Sequence, residues 1–309
     1  MGGLRVRMHG KVPERDLVVF NFNTHPIMSI HTVGVIGAGT MGNGIAQAVA
    51  GAGLQAILID ISEAAVSKGI STVSGSLDRL VKKEKISESD KADILGRIKG
   101  STDYADLQAA DLVIEAATEN YDLKIKILKQ IEAAVKPGTI LASNTSSISI
   151  TKLAAQTARP ENFIGMHFFN PVPLMALVEV IRGLQTSDAT NDTVAELAQK
   201  LSKTPVPVKN APGFVVNRIL VPMINEAFFV LAEGVAEAEA IDEAMKLGAN
   251  HPIGPLALAD LIGLDVCLAV MEVYLEEFGD SKYRPAPLLR ELVAAGYLGR
   301  KTKRGVYAY

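Results

Sequence analysis

Within the stretch HFFNPVPLMALVEV, residues 167–180, a histidine and a glutamate each stand in an otherwise apolar run. Burial of either group is costly unless it finds a partner. Pro171 and Pro173 interrupt the run and predict a turn between two strands. If the strands pair antiparallel about Pro173, His167 and Glu179 fall opposite each other, with Cβ atoms ~5 Å apart. A carboxylate at that range fixes the tautomer of an imidazole and stabilises the imidazolium, which suits general acid–base work near neutral pH. Taken alone, the same residues also fit a strand histidine bonded to a backbone carbonyl. The other histidines compete poorly: His9 and His25 precede the first clear strand, His31 opens it, and His251 stands in the loop NHPIGP.

A second group of residues points to a nucleotide. TVGVIGAGTMGNGIAQAVAGAG reads as a β-branched strand, a glycine cluster and a helix, with G-x-G-x-x-G at Gly37, Gly39 and Gly42. In that strand–turn–helix setting, the first glycine permits the tight turn and the second lets a pyrophosphate approach the backbone. The third lets helix and strand pack closely, with the helix N-terminus facing the phosphates. The next strand, QAILID, ends at Asp60, where an acid can bind ribose hydroxyls. Asp60 disfavours a 2′-phosphate, and the following ISEAA offers no arginine to offset it, so the expected cofactor is NAD. A nicotinamide performs the hydride transfer itself, leaving the protein to position substrate and manage one proton. His167 and Glu179 supply that function.

Alternating strands and helices over the first part of the chain predict a doubly wound, Rossmann-type, mostly parallel sheet. Ligands on such sheets gather at the carboxyl ends of strands. Asp60, Glu119, Asn144, Ser146 and Ser147 all follow strand ends, and His167 lies late in its own strand. On the long helix after Asp60, Ser76, Arg79 and Lys83 share one face; by itself that face fits plain solvation. Beyond NAPGF the periodicity turns helical, with AEAEAIDEAMKLGA, PLALADLIGLDVCLAVMEVYLEEF and PLLRELVAAGYL as successive helices. Pro207, Pro212 and Gly213 mark the change, predicting an NAD-binding domain over 28–212 and an all-helical domain over 213–309. The helix after Phe214 and the run LALADLIGLDVCLAVM are apolar on much of their circumference, so a homodimer through this domain is expected. Residues 1–27 read as a leader or extension outside the fold, although LVVFNF could add a short edge strand.

The balance of 31 basic against 34 acidic residues, a net charge of −3, gives no reason to expect a nucleic-acid partner. No apolar run approaches a membrane span. The lone cysteine, Cys267, precludes an internal disulfide and fits a reducing compartment such as the cytoplasm. It lies in an apolar helical run, a poor setting for a thiol nucleophile, and no histidine cluster suggests a metal.

Jointly, VIGAGTMGNGIA, EAATEN, SNTSS, GMHFFNPVPLMALVEVI, APGFVVNR, PIGPLALADLIGLD and GRKTKRGVYAY give the chain a strong likeness to a known family. From about Ser29 to its end it resembles the 3-hydroxyacyl-CoA dehydrogenases, closest to the short bacterial 3-hydroxybutyryl-CoA dehydrogenase type. The resemblance implies that His167 is the general base, Glu179 its partner, and Ser146 and Asn217 the contacts to the reacting substrate. It implies NAD contacts at Asp60, Glu119, Lys124 and Asn170, and CoA contacts at Ser76 and Lys83, to which Arg79 adds charge. The implied reaction interconverts (S)-3-hydroxybutyryl-CoA and acetoacetyl-CoA. Its rivals are a relative on the same scaffold that oxidises a free hydroxy or sugar acid, as an L-gulonate dehydrogenase does, and a silent NAD-binding structural protein. The chain departs from the family pattern at Lys303, where glycine is usual, at Val306, usually phenylalanine, and at Asn210, usually an acid.

Overall fold

The computed structural model describes residues 28–309, so the expected leader and the edge strand in LVVFNF lie outside the described residues. Eight strands make one sheet: β1 (Thr32–Ile36), β2 (Gln55–Ile59), β3 (Ile98–Ser101), β4 (Leu112–Glu115), β5 (Ile140–Ser143), β6 (Phe163–Phe168), β7 (Leu177–Arg182) and β8 (Thr204–Lys209). Their order is β3-β2-β1-β4-β5-β6-β7-β8, and every pair is parallel except β6 with β7. Short apolar runs such as LVIE and ILAS are buried on both faces, as strands inside a parallel sheet must be. Val33, Val35, Leu58 and Ile114 pack into one cluster and Ile36, Ile57, Ile59 and Val113 into another, one on each side of the sheet. The helices α1 (Thr40–Gly51), α2 (Glu63–Lys82), α3 (Glu88–Gly96), α4 (Tyr121–Ala134), α5 (Ile150–Ala154) and α6 (Asp188–Lys200) connect the strands.

Two strands carry little signal of their own. β3 is IKGS, with two exposed residues, and β8 is TPVPVK, with prolines that cannot donate to a ladder. Both lie at sheet edges, where one flank needs no partner. Pro207, expected to mark the domain change, is therefore inside β8, paired with Val180.

From Val216 onward the described residues form helices: α7 (Val216–Ala232), α8 (Ala238–Gly248), α9 (Pro255–Ile262), α10 (Leu264–Phe278) and α11 (Pro287–Ala294). The run PLALADLIGLDVCLAVMEVYLEEF, expected as one helix, is broken into α9 and α10 at Gly263, whose φ of 110° no helix accommodates. The apolar residues are continuous across the break, so their period alone does not reveal it.

The departures near the C-terminus are absorbed by two buried aspartates. Asp260 accepts from the backbone N–H of Val306 and Tyr307, and Asp242 accepts from the Tyr307 hydroxyl, while Val306 packs on the helical core. Asn210 accepts from the Ile150 N–H and donates to the Ser149 hydroxyl, so it caps α5 from outside the helix. Lys303 adopts φ 58° in the tail turn with an exposed side chain, a conformation that costs a non-glycine residue about 1 kcal/mol. Lys303→Gly is therefore expected to raise the unfolding free energy by about 1 kcal/mol. Urea denaturation of both proteins measures it, and a less stable Lys303→Gly variant would show that the lysine side chain supports the turn.

Candidate active site

β6 and β7 pair antiparallel with His167 opposite Glu179. His167 Nδ1 lies 2.7 Å from Glu179 Oε2, and both side chains are buried. The other carboxylate oxygen, Oε1, accepts from the backbone N–H of Val215 and Val216, each at 3.0 Å. Those amides open α7, so the carboxylate joins the sheet to the first helix of the C-terminal part. With Glu179 ionised and acceptor-only, Nδ1 carries the proton and Nε2 is left as the basic nitrogen. The imidazole is also held by rings: Phe169 lies 4.5 Å and Phe214 5.5 Å away between centroids. Phe214 takes φ 52° beside Gly213 at φ 72°, a pair of left-handed residues that turns the chain from PGF into α7. A bulky residue there is strained, and such strain gathers where function over-determines the backbone.

The glycine turn stands at the switch point between β1, β2 and β4. Gly37 has φ 97°, and a side chain there would strike the Ala116 backbone. A Cβ at Gly42 would lie 1.7 Å from the Gly37 oxygen, whereas a Cβ at Gly39 would meet no atom within 4 Å. The turn is thus closed toward the protein and open toward a cavity of about 480 Å³. Asp60 borders that cavity and accepts from the Ala38 N–H at 2.6 Å. No side chain caps the N-terminus of α1 at Gly39, so its first amides face the same space. Asn170, Ser76 and Arg79 complete the far wall. These features fit a dinucleotide: an open turn for a pyrophosphate, amides to meet it and an acid for ribose.

A second, smaller cavity of about 280 Å³ lies at the ends of β4 and β5, bordered by Glu119, Lys124, Asn144 and Thr145. Glu119 accepts from the Ser146 N–H at 2.7 Å, from its hydroxyl at 3.2 Å and from the Thr145 hydroxyl at 2.6 Å. Asn144 Oδ1 accepts from the Phe168 N–H at 2.9 Å, tying this loop to the residue after His167. Lys124 reaches this wall, but its ammonium is ion-paired with Glu115, fully buried at the end of β4. Glu115 also accepts from the Ser143 hydroxyl and the Ala117 N–H.

The expected residues therefore fall into linked sets: His167 with Glu179, Ser146 with Glu119, and Asp60 with the glycine turn and Asn170. Asn217 sits on the first turn of α7, adjacent to the amides that hold Glu179. Lys83 stands apart: it is the exposed C-cap of α2 and does not border the cavity that Ser76 and Arg79 line. Burial pushes the Cys267 thiol up to about 12, which leaves it protonated and inert at neutral pH. Among the described residues no cluster of three or more metal-ligating side chains occurs and no helix is long and apolar enough to cross a membrane. The amides of Val215 and Val216 and the acid Glu115 were not expected at the site. Backbone donors leave no mark in residue types, but Glu115, an acid ending an apolar strand nine positions before Lys124, could have been found.

Two family models cover nearly all of the described chain. That for the 3-hydroxyacyl-CoA dehydrogenase NAD binding domain matches residues 32–211, and that for the 3-hydroxyacyl-CoA dehydrogenase C-terminal domain matches 213–309. The solved structure of (S)-3-hydroxybutyryl-CoA dehydrogenase from Ralstonia eutropha is 71% identical with a TM-score of 0.89, covering 91% of this chain and 99% of that one. The 3-hydroxybutyryl-CoA dehydrogenase of Bradyrhizobium diazoefficiens is 55% identical over 91% of this chain and 96% of its own length. That of Clostridioides difficile is 54% identical over 89% of this chain and 98% of its own.

The two jobs of the Glu179 carboxylate can be separated by substitution. Glu179→Ala leaves two part-buried N–H groups and a buried imidazole without an acceptor, and is expected to cost about 2–4 kcal/mol of stability. Glu179→Gln can keep its single oxygen on the two amides, which turns its NH₂ toward Nδ1 and moves the imidazole proton to Nε2. Chemical denaturation reads the first effect and ¹⁵N NMR of the imidazole the second; a Glu179→Ala protein within 0.5 kcal/mol of wild type would rule out this bridging role.

Proposed function

Because the chain belongs to the 3-hydroxyacyl-CoA dehydrogenase family, we propose that it interconverts (S)-3-hydroxybutyryl-CoA and acetoacetyl-CoA with NAD, using His167 as general acid and base. The observation that carries this reading is the buried His167–Glu179 pair, whose fixed tautomer presents a basic Nε2. Held against the glycine turn, a nicotinamide cofactor would supply the hydride transfer at C3, which leaves this chain's residues to bind it and to manage the proton. His167 Nε2 takes the C3 hydroxyl proton and gives it back in the reverse direction. Glu179 stabilises the imidazolium meanwhile and, held by two amides, keeps the ring aimed. Ser146 and Asn217 hold the C3 oxygen; the 3.2 Å bond from Ser146 to Glu119 is long enough to be exchanged for it.

Gly39, Asp60 and Asn170, which line the larger cavity, take the adenosine and pyrophosphate side with Gly37 and Gly42 shaping the turn, and Glu119, Lys124 and Asn144, which line the smaller one, take the nicotinamide side with Ser146. Ser76, Arg79 and Lys83 meet the CoA phosphates. Residues 28–212 act as the cofactor domain and 213–309 as the substrate and dimerisation domain. Exposed Ile219, Leu261 and Val266 on α7, α9 and α10 support a homodimer interface there. A cytoplasmic location, where NAD and acyl-CoA are both at hand, fits this reading.

His167→Gln is expected to lower kcat by ~10²–10⁴ with NADH binding nearly intact, read by acetoacetyl-CoA-dependent NADH oxidation and by NADH fluorescence titration. Wild-type turnover in that variant would exclude His167 as the base. Equal activity on free 3-hydroxybutyrate and on its CoA ester would instead overturn the substrate assignment.

If the CoA phosphates enter the outer part of the cofactor cavity, where Arg79 and Ser76 stand and Lys83 does not, Arg79→Ala should raise the KM for acetoacetyl-CoA about tenfold and Lys83→Ala by less, with kcat little changed. A larger effect at Lys83, or an equal rise in the NADH KM, would place the CoA phosphates elsewhere.

A further inference from the structure

Among the described residues, Lys203 is the one buried lysine that the reading above leaves without a role. It is 8% exposed, and its ammonium donates to two backbone carbonyls, Val172 O at 2.6 Å and Met175 O at 2.8 Å. Among the described residues no carboxylate shares this contact. A solvated cation has been taken from water and spent on two peptide oxygens, an arrangement that bland packing does not require. Burial lowers the pKa of Lys203 from its ordinary value, as this desolvation demands.

The two carbonyls belong to the loop between β6 and β7. That loop joins the His167 strand to the Glu179 strand, and its residues Asn170, Pro171, Val172 and Pro173 wall the large cavity opposite the glycine turn. Val172 anchors its start in the core, but its tip is exposed, Leu174 at 74% and Met175 at 41%. On its inner side the loop presses against α1, where a Cβ at Gly44 would lie 2.9 Å from Val172 Cβ. On its outer side the ammonium is the clamp. Lys203 itself is rigidly carried: its N–H donates to Ala198 O at the end of α6, and the next residue, Thr204, donates to Ala176 O at 2.7 Å.

We infer that Lys203 is a positioning residue for the cofactor site: by holding the Val172 and Met175 carbonyls it fixes the loop that carries Asn170 against the dinucleotide cavity. It touches neither cofactor nor substrate and acts through the loop. The inference rests on the proposed placement of NAD against the glycine turn and Asn170.

Its test begins without cofactor, by hydrogen exchange at the amides of Leu174 and Met175, which both donate to Pro171 O. In Lys203→Met these amides should exchange about tenfold to a hundredfold faster than in wild type, the factor that one or two lost charge-assisted hydrogen bonds correspond to, while amides of β1 and α7 are unaffected. The Kd for NADH should rise about tenfold with the acetoacetyl-CoA KM changed less, and Lys203→Arg, which can still donate to two carbonyls, should restore most of both. If Lys203→Met does not fold, Lys203→Gln, with a shorter neutral donor, is expected to show the same changes at smaller size. Unchanged loop exchange in a folded variant, or equal losses in NADH and acyl-CoA binding, would overturn the inference. Faster loop exchange with unaltered NADH affinity would instead show that the loop is held by Lys203 but does not set the cofactor site. A wild-type protein that bound no NADH would remove the proposed function while leaving the loop measurement intact.

Discussion

The Glu179 carboxylate is buried in the middle of the molecule, and a charge in that position survives only with its lone pairs matched by donors. One oxygen takes the Nδ1 proton of His167 from the neighbouring strand, and the other takes two backbone N–H groups from the start of α7. These partners come from two parts of the chain that otherwise pack their own cores. The geometry of the His167–Glu179 pair and the seating of the helical part on the sheet therefore share one constraint. A shift of α7 would expose the carboxylate to an unmatched burial and also release the imidazole.

Several features that look separate serve this constraint. The antiparallel β6–β7 hairpin is the one reversal in a parallel sheet, and it brings histidine and glutamate face to face. Gly213 and Phe214 in left-handed conformations aim the first amides of α7 at the carboxylate. A Cβ at Gly213 would collide with the Tyr274 hydroxyl at 1.8 Å, so the turn is also fixed from the side of α10. Phe214 then lays its ring beside the imidazole it helps to orient.

The cofactor side depends on a different condition, close approach of backbone to ligand. Gly37 and Gly42 meet the protein and Gly39 meets the cavity, three glycines with distinct steric reasons. Asp60 braces the turn with both oxygens, one accepting from the Ala38 amide and the other from the Ile61 amide. Beneath the second cavity, Glu115 and Lys124 form a buried pair that satisfies the loop amides after β4. The ends of β4 and β5 are thereby tied together beside that cavity.

Much of this was legible in residue order, because local rules act over short separations. Two prolines between apolar runs sufficed to set His167 against Glu179, and G-x-G-x-x-G after a β-branched strand sufficed for the turn and for Asp60 beyond it. What residue order could not express were contacts made by groups every residue owns, and edges whose partners lie far along the chain. The amides of Val215 and Val216 on Glu179, and the carbonyls of Val172 and Met175 on Lys203, are backbone atoms with no signature in side-chain type. β3 and β8 became strands because β2 and β7 offered unpaired edges, against weak propensity and two prolines. Gly263 broke an apolar run into two helices, where the hydrophobic period continued but the backbone turned. The sequence by itself determined which groups could do the chemistry; only the tertiary structure decided which backbone atoms hold them still, because those contacts join segments that no local pattern connects.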